Sequence, residues 1–193
     1  MKTQQIKSKN GIEFKGPLLI TPQIFNDNRG SFYESWNKSI FNKKINSEVN
    51  FVQDNHSSSI KGVLRGLHYQ TRPFPQGKLV RCISGKIFDV AVDLRNNSKT
   101  FGNWFGVELS SKNKKQLWIP EGFAHGFLTI SNSAEVLYKT THYWNKDCEK
   151  SIRWDDKTLD IKWPLYKVNR ELPLISIKDE EAKNFEESFN HFF

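Results

Sequence analysis

A mostly β chain folded as a jelly-roll sandwich, with short helices at its periphery, is the architecture this sequence predicts. Two observations carry it. Short runs rich in β-branched and aromatic residues follow one another from residue 51 to residue 144, broken by Gly, Pro, Asn and Ser. Many short strands at close spacing pack as a sandwich or barrel. Within that stretch, Phe88, Val90, Val92 and Leu94 alternate with Ile87, Asp89, Ala91 and Asp93, which is the period of a strand.

Taken in order, residues 1–24 mix polar residues with short apolar runs and carry Pro17 and Pro22. Trp36, Ile40, Phe41 and Ile45 fall near one face of a short helix. Further strands are expected at residues 78–83, 104–109, 116–119, 126–130 and 135–143, and Ser84-Gly85 is expected to close a hairpin. Near the end, Ala182, Phe185 and Phe189 recur on one helical face. Ser176 followed by Asp179 resembles a capping box at that helix's start, with the shorter acid in the acidic position. A chain of 193 residues is enough for one domain with its own core, so residues 1–193 are expected to form a single domain.

Composition narrows the function classes. No run approaches the ~20 apolar residues that a membrane helix needs. The first residues carry lysines with no apolar segment behind them, unlike a secretory signal. The two cysteines, Cys82 and Cys148, are far apart and form no C-x-x-C pattern. A cytoplasmic protein without thiolate metal sites is the expectation. The net charge of +8 attracts anions. It fits a phosphorylated small molecule, a nucleic acid, or lysines that only aid solubility. No dense basic block or recognition-helix signature accompanies it, and composition alone does not choose among the three.

Three constellations carry candidate chemistry. In the first, Arg65 and His68 are embedded among Val63, Leu64, Leu67 and Tyr69. A straight strand would send the two to opposite faces, and both could then be solvated. Gly66 between them would instead mark a bulge that turns both into one cavity. In the second, Pro120-Glu-Gly-Phe-Ala-His125 resembles the second motif of the cupins. Metal cupins carry H-x-H in their first motif, whereas this chain reads His68-Tyr-Gln70 with Lys78 where a carboxylate would be wanted. Two imidazoles and a cation make a poor divalent site. The third is a strand on which Tyr138, Thr140 and His142 share a face; in isolation Tyr138 also reads as a core ring with a satisfied hydroxyl.

Motifs in order along nearly the whole chain then carry a resemblance. They are Asp27-x-Arg-Gly-x-Phe-x-Glu34, Gln53-Asp-Asn55, Gly62-Val-Leu-Arg-Gly-Leu-His68, Gln76-Gly-Lys78, Phe88-Asp-Val-Ala-Val-Asp93, Pro120-Glu-Gly-Phe-Ala-His-Gly-Phe127, Tyr138-Lys139 and Trp163-Pro164. In order and spacing the chain resembles the dTDP-4-dehydrorhamnose 3,5-epimerases. The resemblance implies a cupin jelly roll with no metal or other cofactor, a homodimer, and a cytoplasmic step toward dTDP-L-rhamnose. The implied substrate is dTDP-4-keto-6-deoxyglucose, with neither nucleic acid nor membrane expected as a partner. It also implies His68 as base, Tyr138 as acid, Asp179 as the carboxylate pairing with the base, and Lys78 at the sugar's 4-keto oxygen. Arg29, Glu34, Gln53, Asn55, Arg65, His125, Glu149 and Lys178 match its binding positions. Tyr143 and Trp144 stand where the family often has adjacent tyrosines.

These residue types suit that chemistry. A 4-keto group acidifies the hydrogens on carbons 3 and 5, and removing one leaves an enolate. Neutral imidazole, with an ordinary pKa of ~6.5, is available as a base at neutral pH. A fixed ammonium stabilises the enolate, and a phenol at ~10 keeps its proton until the carbanion needs it. Arg29 and Arg65 suit a diphosphate, because guanidinium pairs with two oxygens at once. The rival readings are a 3- or 5-monoepimerase on a related nucleotide keto-sugar, a non-catalytic sugar-binding cupin, and a metal-dependent cupin oxygenase, which the missing H-x-H opposes.

Overall fold

Two antiparallel sheets stack face to face in a computed structural model that describes residues 1–193, the side chain of His191 apart. The six-stranded sheet runs in the order β1 (Lys2–Lys7), β2 (Glu13–Thr21), β10 (Gln116–Ile119), β7 (Lys78–Ser84), β12 (Ser133–Thr140), β5 (Gln53–Ile60). The five-stranded sheet runs β13 (Glu149–Ser151), β6 (Leu64–Gln70), β11 (Phe123–Thr129), β8 (Lys86–Asp93), β9 (Trp104–Ser110). A separate hairpin of β3 (Phe25–Asp27) and β4 (Gly30–Phe32) is exposed throughout. The helical parts are α1 (Lys38–Ile45), α2 (Ile177–Glu180) and 3-10 turns at Leu165–Val168 and Glu186–His191. No helix among the described residues is long and apolar enough to cross a membrane.

The alternation along β8 explains how the layers assemble. Ile87 and Ala91 point between the sheets, where they meet Phe14, Val80, Leu117, Phe127 and Val136. Val90, Val92 and Leu94 point outward and pack under the C-terminal segment with Trp163 and Phe185. The six-stranded sheet's outer face is likewise covered in part, where Phe41 of α1 sits against Leu18, Ile20, Leu79 and Trp118. Helix α1 is capped by its asparagines. Asn37 accepts a hydrogen bond from the Ile40 amide, and Asn46 closes the helix in the left-handed region.

Three local findings go beyond or against the sequence reading. Residues 1–24, without a strand pattern of their own, supply β1 and β2 to the six-stranded sheet, with Pro17 placed inside β2. Ser84-Gly85 closes no hairpin, because β7 and β8 lie in different sheets. Gly85 has φ +75°, and a Cβ there would meet the Ser133 carbonyl oxygen at 2.1 Å. The residue therefore turns the chain across the sandwich at a point where only glycine fits. The expected C-terminal helix is two short pieces. Between them the Lys183 carbonyl accepts from the Arg153 amide, in a bridge that pairs Ile152 with Lys183, and that bond to the sandwich displaces the helical one.

The bulge in β6 is present. His125 and Phe127 are two apart on β11, yet their partners on β6, His68 and Arg65, are three apart. The extra residue is accommodated at Gly66, where φ is +120° and an added Cβ would fall 2.5 Å from the Gly126 Cα. Replacing Gly66 by Ala is expected to cost about 2–4 kcal/mol through backbone strain and overpacking. Urea unfolding would read it; a midpoint unchanged from the parent protein would show that β6 and β11 can separate without penalty.

Candidate active site

Between the sheets lies a polar cleft of about 100 Å³ to which both contribute. The six-stranded sheet supplies Gln53 and Asn55 from β5, Lys78 from β7 and Tyr138 from β12. The five-stranded sheet supplies His68 and Gln70 from β6 and Glu149 from β13. Larger depressions lie along α1 and between the segment that follows it and Trp118, Pro120 and His142, but this cleft is the one that gathers an imidazole, an ammonium, a phenol and a carboxylate.

His68 is held by α2. Its Nε2 lies 2.5 Å from Asp179 Oδ1, and the Asp179 side chain is 3% exposed. Burial alone would raise the Asp179 carboxyl, but hydrogen bonds from His68 and Ser176 and the His68 charge outweigh it and hold the group below its usual range. An ionised carboxylate only accepts, so the imidazole proton belongs on Nε2 and the lone pair on Nδ1. Ser176 is the α2 N-cap: its hydroxyl accepts from the Asp179 amide and donates to Asp179 Oδ2. The shorter acid of this capping box thus keeps one oxygen for the cap and one for the histidine.

Lys78 is 7% exposed, and its ammonium donates to the His68 carbonyl oxygen at 3.2 Å. Burial lowers its pKa to about 8, against the opposing charges of Glu149 and Asp89. Glu149 pairs with Lys178 of α2 at 2.6 Å. Its carboxyl is raised by burial but more strongly lowered by Lys178, by Trp144 and by the His68 charge, so it stays ionised. Burial raises the Tyr138 phenol above its usual value, with the Arg65 charge opposing. Tyr138 therefore holds its proton at neutral pH.

The other sequence-predicted residues are placed as follows. Arg65 donates to Ser59 Oγ and to the Ser58 carbonyl. It stands near enough to Tyr138 to act on it by charge, but it is not among the residues lining the cleft. His125 is buried on β11 directly across from His68, with Nε2 at 3.0 Å from both oxygens of the fully buried Asp89. Arg29 is on the exposed β3–β4 hairpin, in a 2.6 Å ion pair with Asp27, and Glu34 accepts from Asn37 at the surface. Neither lines the cleft of this chain. The sequence reading missed Asp89 and Gln70, although the inward phase of the β8 alternation and the incomplete H-x-H motif pointed at both. Among the described residues no three His, Cys, Asp or Glu side chains converge as a metal site. The Nε2 atoms of His68 and His125 are each engaged by a carboxylate instead.

The family profile described as dTDP-4-dehydrorhamnose 3,5-epimerase matches residues 11–187. The chain belongs to that family. The relationship is with isomerase-class enzymes over most of its length. The dTDP-4-dehydrorhamnose 3,5-epimerase of Shigella flexneri is 53% identical over 173 residues, covering 90% of this chain and 93% of that one. The Legionella pneumophila epimerase, solved in complex with dTDP-4-keto-L-rhamnose, superposes with a TM-score of 0.87 at 45% identity, covering 96% of this chain and 94% of that one. A 3'-monoepimerase from Streptomyces bikiniensis, in complex with dTDP-quinovose, has a TM-score of 0.83 at 29% identity, covering 91% and 86%. One fold thus serves enzymes named for inverting one centre and enzymes named for inverting two.

Proposed function

We propose that this chain inverts carbons 3 and 5 of dTDP-4-keto-6-deoxyglucose through enolates, on the route to dTDP-L-rhamnose. The observation that carries the reading is the placement of His68 and Tyr138 on opposite sheets facing one cleft. Inversion needs a base on one face of a carbon and an acid on the other. The Nδ1 lone pair of His68 takes the proton, and Asp179 stabilises the imidazolium that forms. The ammonium of Lys78 stabilises the enolate oxygen. Tyr138 returns a proton from the far side. Gln53, Asn55, Glu149 and Lys178 hold the nucleotide sugar, with Arg65 beside Tyr138. The 53% identity to a 3,5-epimerase, against 29% to a monoepimerase, favours two centres over one. Incubation with dTDP-4-keto-6-deoxyglucose in deuterated water, followed by NMR, should show deuterium at both carbons and the L-rhamno product. Exchange at one carbon alone would replace this reading with a monoepimerase.

The Lys78 role fixes a pH dependence. Its amine is charged below about 8 and neutral above, so enolate stabilisation is lost as pH rises through that value. The pH profile of kcat/KM reports groups of the free enzyme. It should fall on an alkaline limb near 8, well below the ordinary lysine value of ~10.4. A profile flat to pH ~10 would remove Lys78 from this role.

A homodimer is part of the proposal. Arg29 and Glu34 match binding positions of the family but sit outside this chain's cleft, and Phe25 and Phe32 on the same hairpin are 56% and 72% exposed. A second copy that receives this hairpin would account for both. Light scattering should give twice 22.6 kDa, and a monomer at micromolar concentration would contradict it.

A further inference from the structure

Two loops face each other at the cleft, and one buried side chain ties them together. Residues 71–75 carry Phe74 and residues 143–147 carry Tyr143 and Trp144, all three substantially exposed. At one end the loops are joined by the Thr71 amide donating to the Cys148 carbonyl. At the other, Gln76 Nε2 donates to the His142 carbonyl, and the Gly77 amide to Thr141 Oγ1. Between those ends the link is Gln70, which is 3% exposed. Its Nε2 donates to the Phe74 carbonyl at 2.6 Å and to the Tyr143 carbonyl at 3.2 Å. Its Oε1 accepts from the Asn145 amide at 2.8 Å. The partners fix which end of the amide is which, since carbonyls face the nitrogen and an N–H faces the oxygen.

We propose that Gln70 is a positioning residue that fixes the spacing of these two loops and with it the pose of Trp144 at the cleft. Both of its N–H groups are committed to the loops, so it has no donor left for substrate. Gln53 completes the arrangement from the opposite sheet by accepting from the Trp144 amide at 2.9 Å. The Tyr143 carbonyl, the Trp144 amide and the Asn145 amide are therefore pinned in succession from two sheets. Breaking the Gln70 links would leave three backbone groups without their partner, and the loops would separate to hydrate them. Gln70 also stands on the same strand and face as His68, two residues away. The place where metal cupins carry a second ligand serves here to hold the cleft's aromatic wall.

The consequence for turnover rests on the epimerase reading; the consequence for the loops does not. Gln70→Met keeps the volume and removes all three hydrogen bonds, and Gln70→Glu keeps only the acceptor. Both variants should raise KM for the dTDP-keto-sugar about tenfold with kcat within about threefold of the parent, the signature of lost binding rather than lost chemistry. Hydrogen exchange followed by mass spectrometry, without substrate, should show faster exchange in residues 71–75 and 143–147 together, with β8 and β11 unchanged. Unchanged exchange in both loops would overturn the proposal, as would a kcat loss at constant KM. If Gln70→Met does not fold, the Glu variant decides by the same two readouts. A parent protein inactive on the sugar would refute the epimerase reading, while the exchange data would still decide the role of Gln70.

Discussion

Replacing His68 by Asn should lower kcat by about 10² or more, the scale on which general-base catalysis contributes. Asparagine retains a side-chain amide that can donate to Asp179, so α2 stays docked and the cleft keeps its shape. What disappears is the lone pair that takes the proton. The discriminating quantity is the split between kcat and KM. If His68 only bound the sugar, KM would rise and kcat would stay near its parent value. Deuterium incorporation should fall with net epimerisation, because without the base no proton leaves from either carbon. A His68→Asn enzyme that still exchanges deuterium at the parent rate would assign the base elsewhere, and the buried His125–Asp89 pair across from it would be the next candidate.

Replacing Tyr138 by Phe should have an effect of similar size and a different signature. The ring and its packing remain, and only the proton donor is lost. Burial already holds this phenol above its ordinary pKa, so at neutral pH the parent protein always presents a proton here. Without it, His68 can still remove a proton from carbon 5 and return one from solvent on the same face. Deuterium exchange at that carbon should persist while inversion collapses by about 10² or more. A Tyr138→Phe enzyme that epimerises at the parent rate would refute the assignment. A water held near Tyr143 or Trp144 would then be the acid to test.

The two variants are informative because their targets lie on different sheets, and that separation is not legible in the sequence. What is legible is local. The alternation from Ile87 to Leu94 predicts a strand and its two faces, because side-chain direction in a strand depends only on residue parity. Ser176 is readable as a helix start from its short hydroxyl and the acid three residues on, and it caps α2. Gly66 between Arg65 and His68 is readable as a bulge, and the bulge is there. Residues 1–24 do not read as strands, because polar side chains break the alternation and Pro17 argues against a ladder. The structure reconciles this: Pro17 falls where the β1–β2 register shifts, so its missing N–H breaks no regular pairing.

By itself, then, the sequence determined a mostly β sandwich, the family to which the chain belongs, and the residue types able to run proton chemistry on a keto-sugar. Motif order and strand period are properties of neighbouring residues and survive without coordinates. The tertiary structure alone decided which of those residues meet. His68 and Asp179 are 111 residues apart, and they meet where α2, a short capped turn, packs against β6. Ser84-Gly85 passes from one sheet to the other, although its composition equally fits a hairpin, since a turn dipeptide sets local direction and not the partner of the strand that follows. Arg29 and Glu34 carry the family's motif yet stay outside the cleft of this chain. A motif fixes residue identity; distance is set by how sheets pair and stack, which depends on burial summed over the whole core.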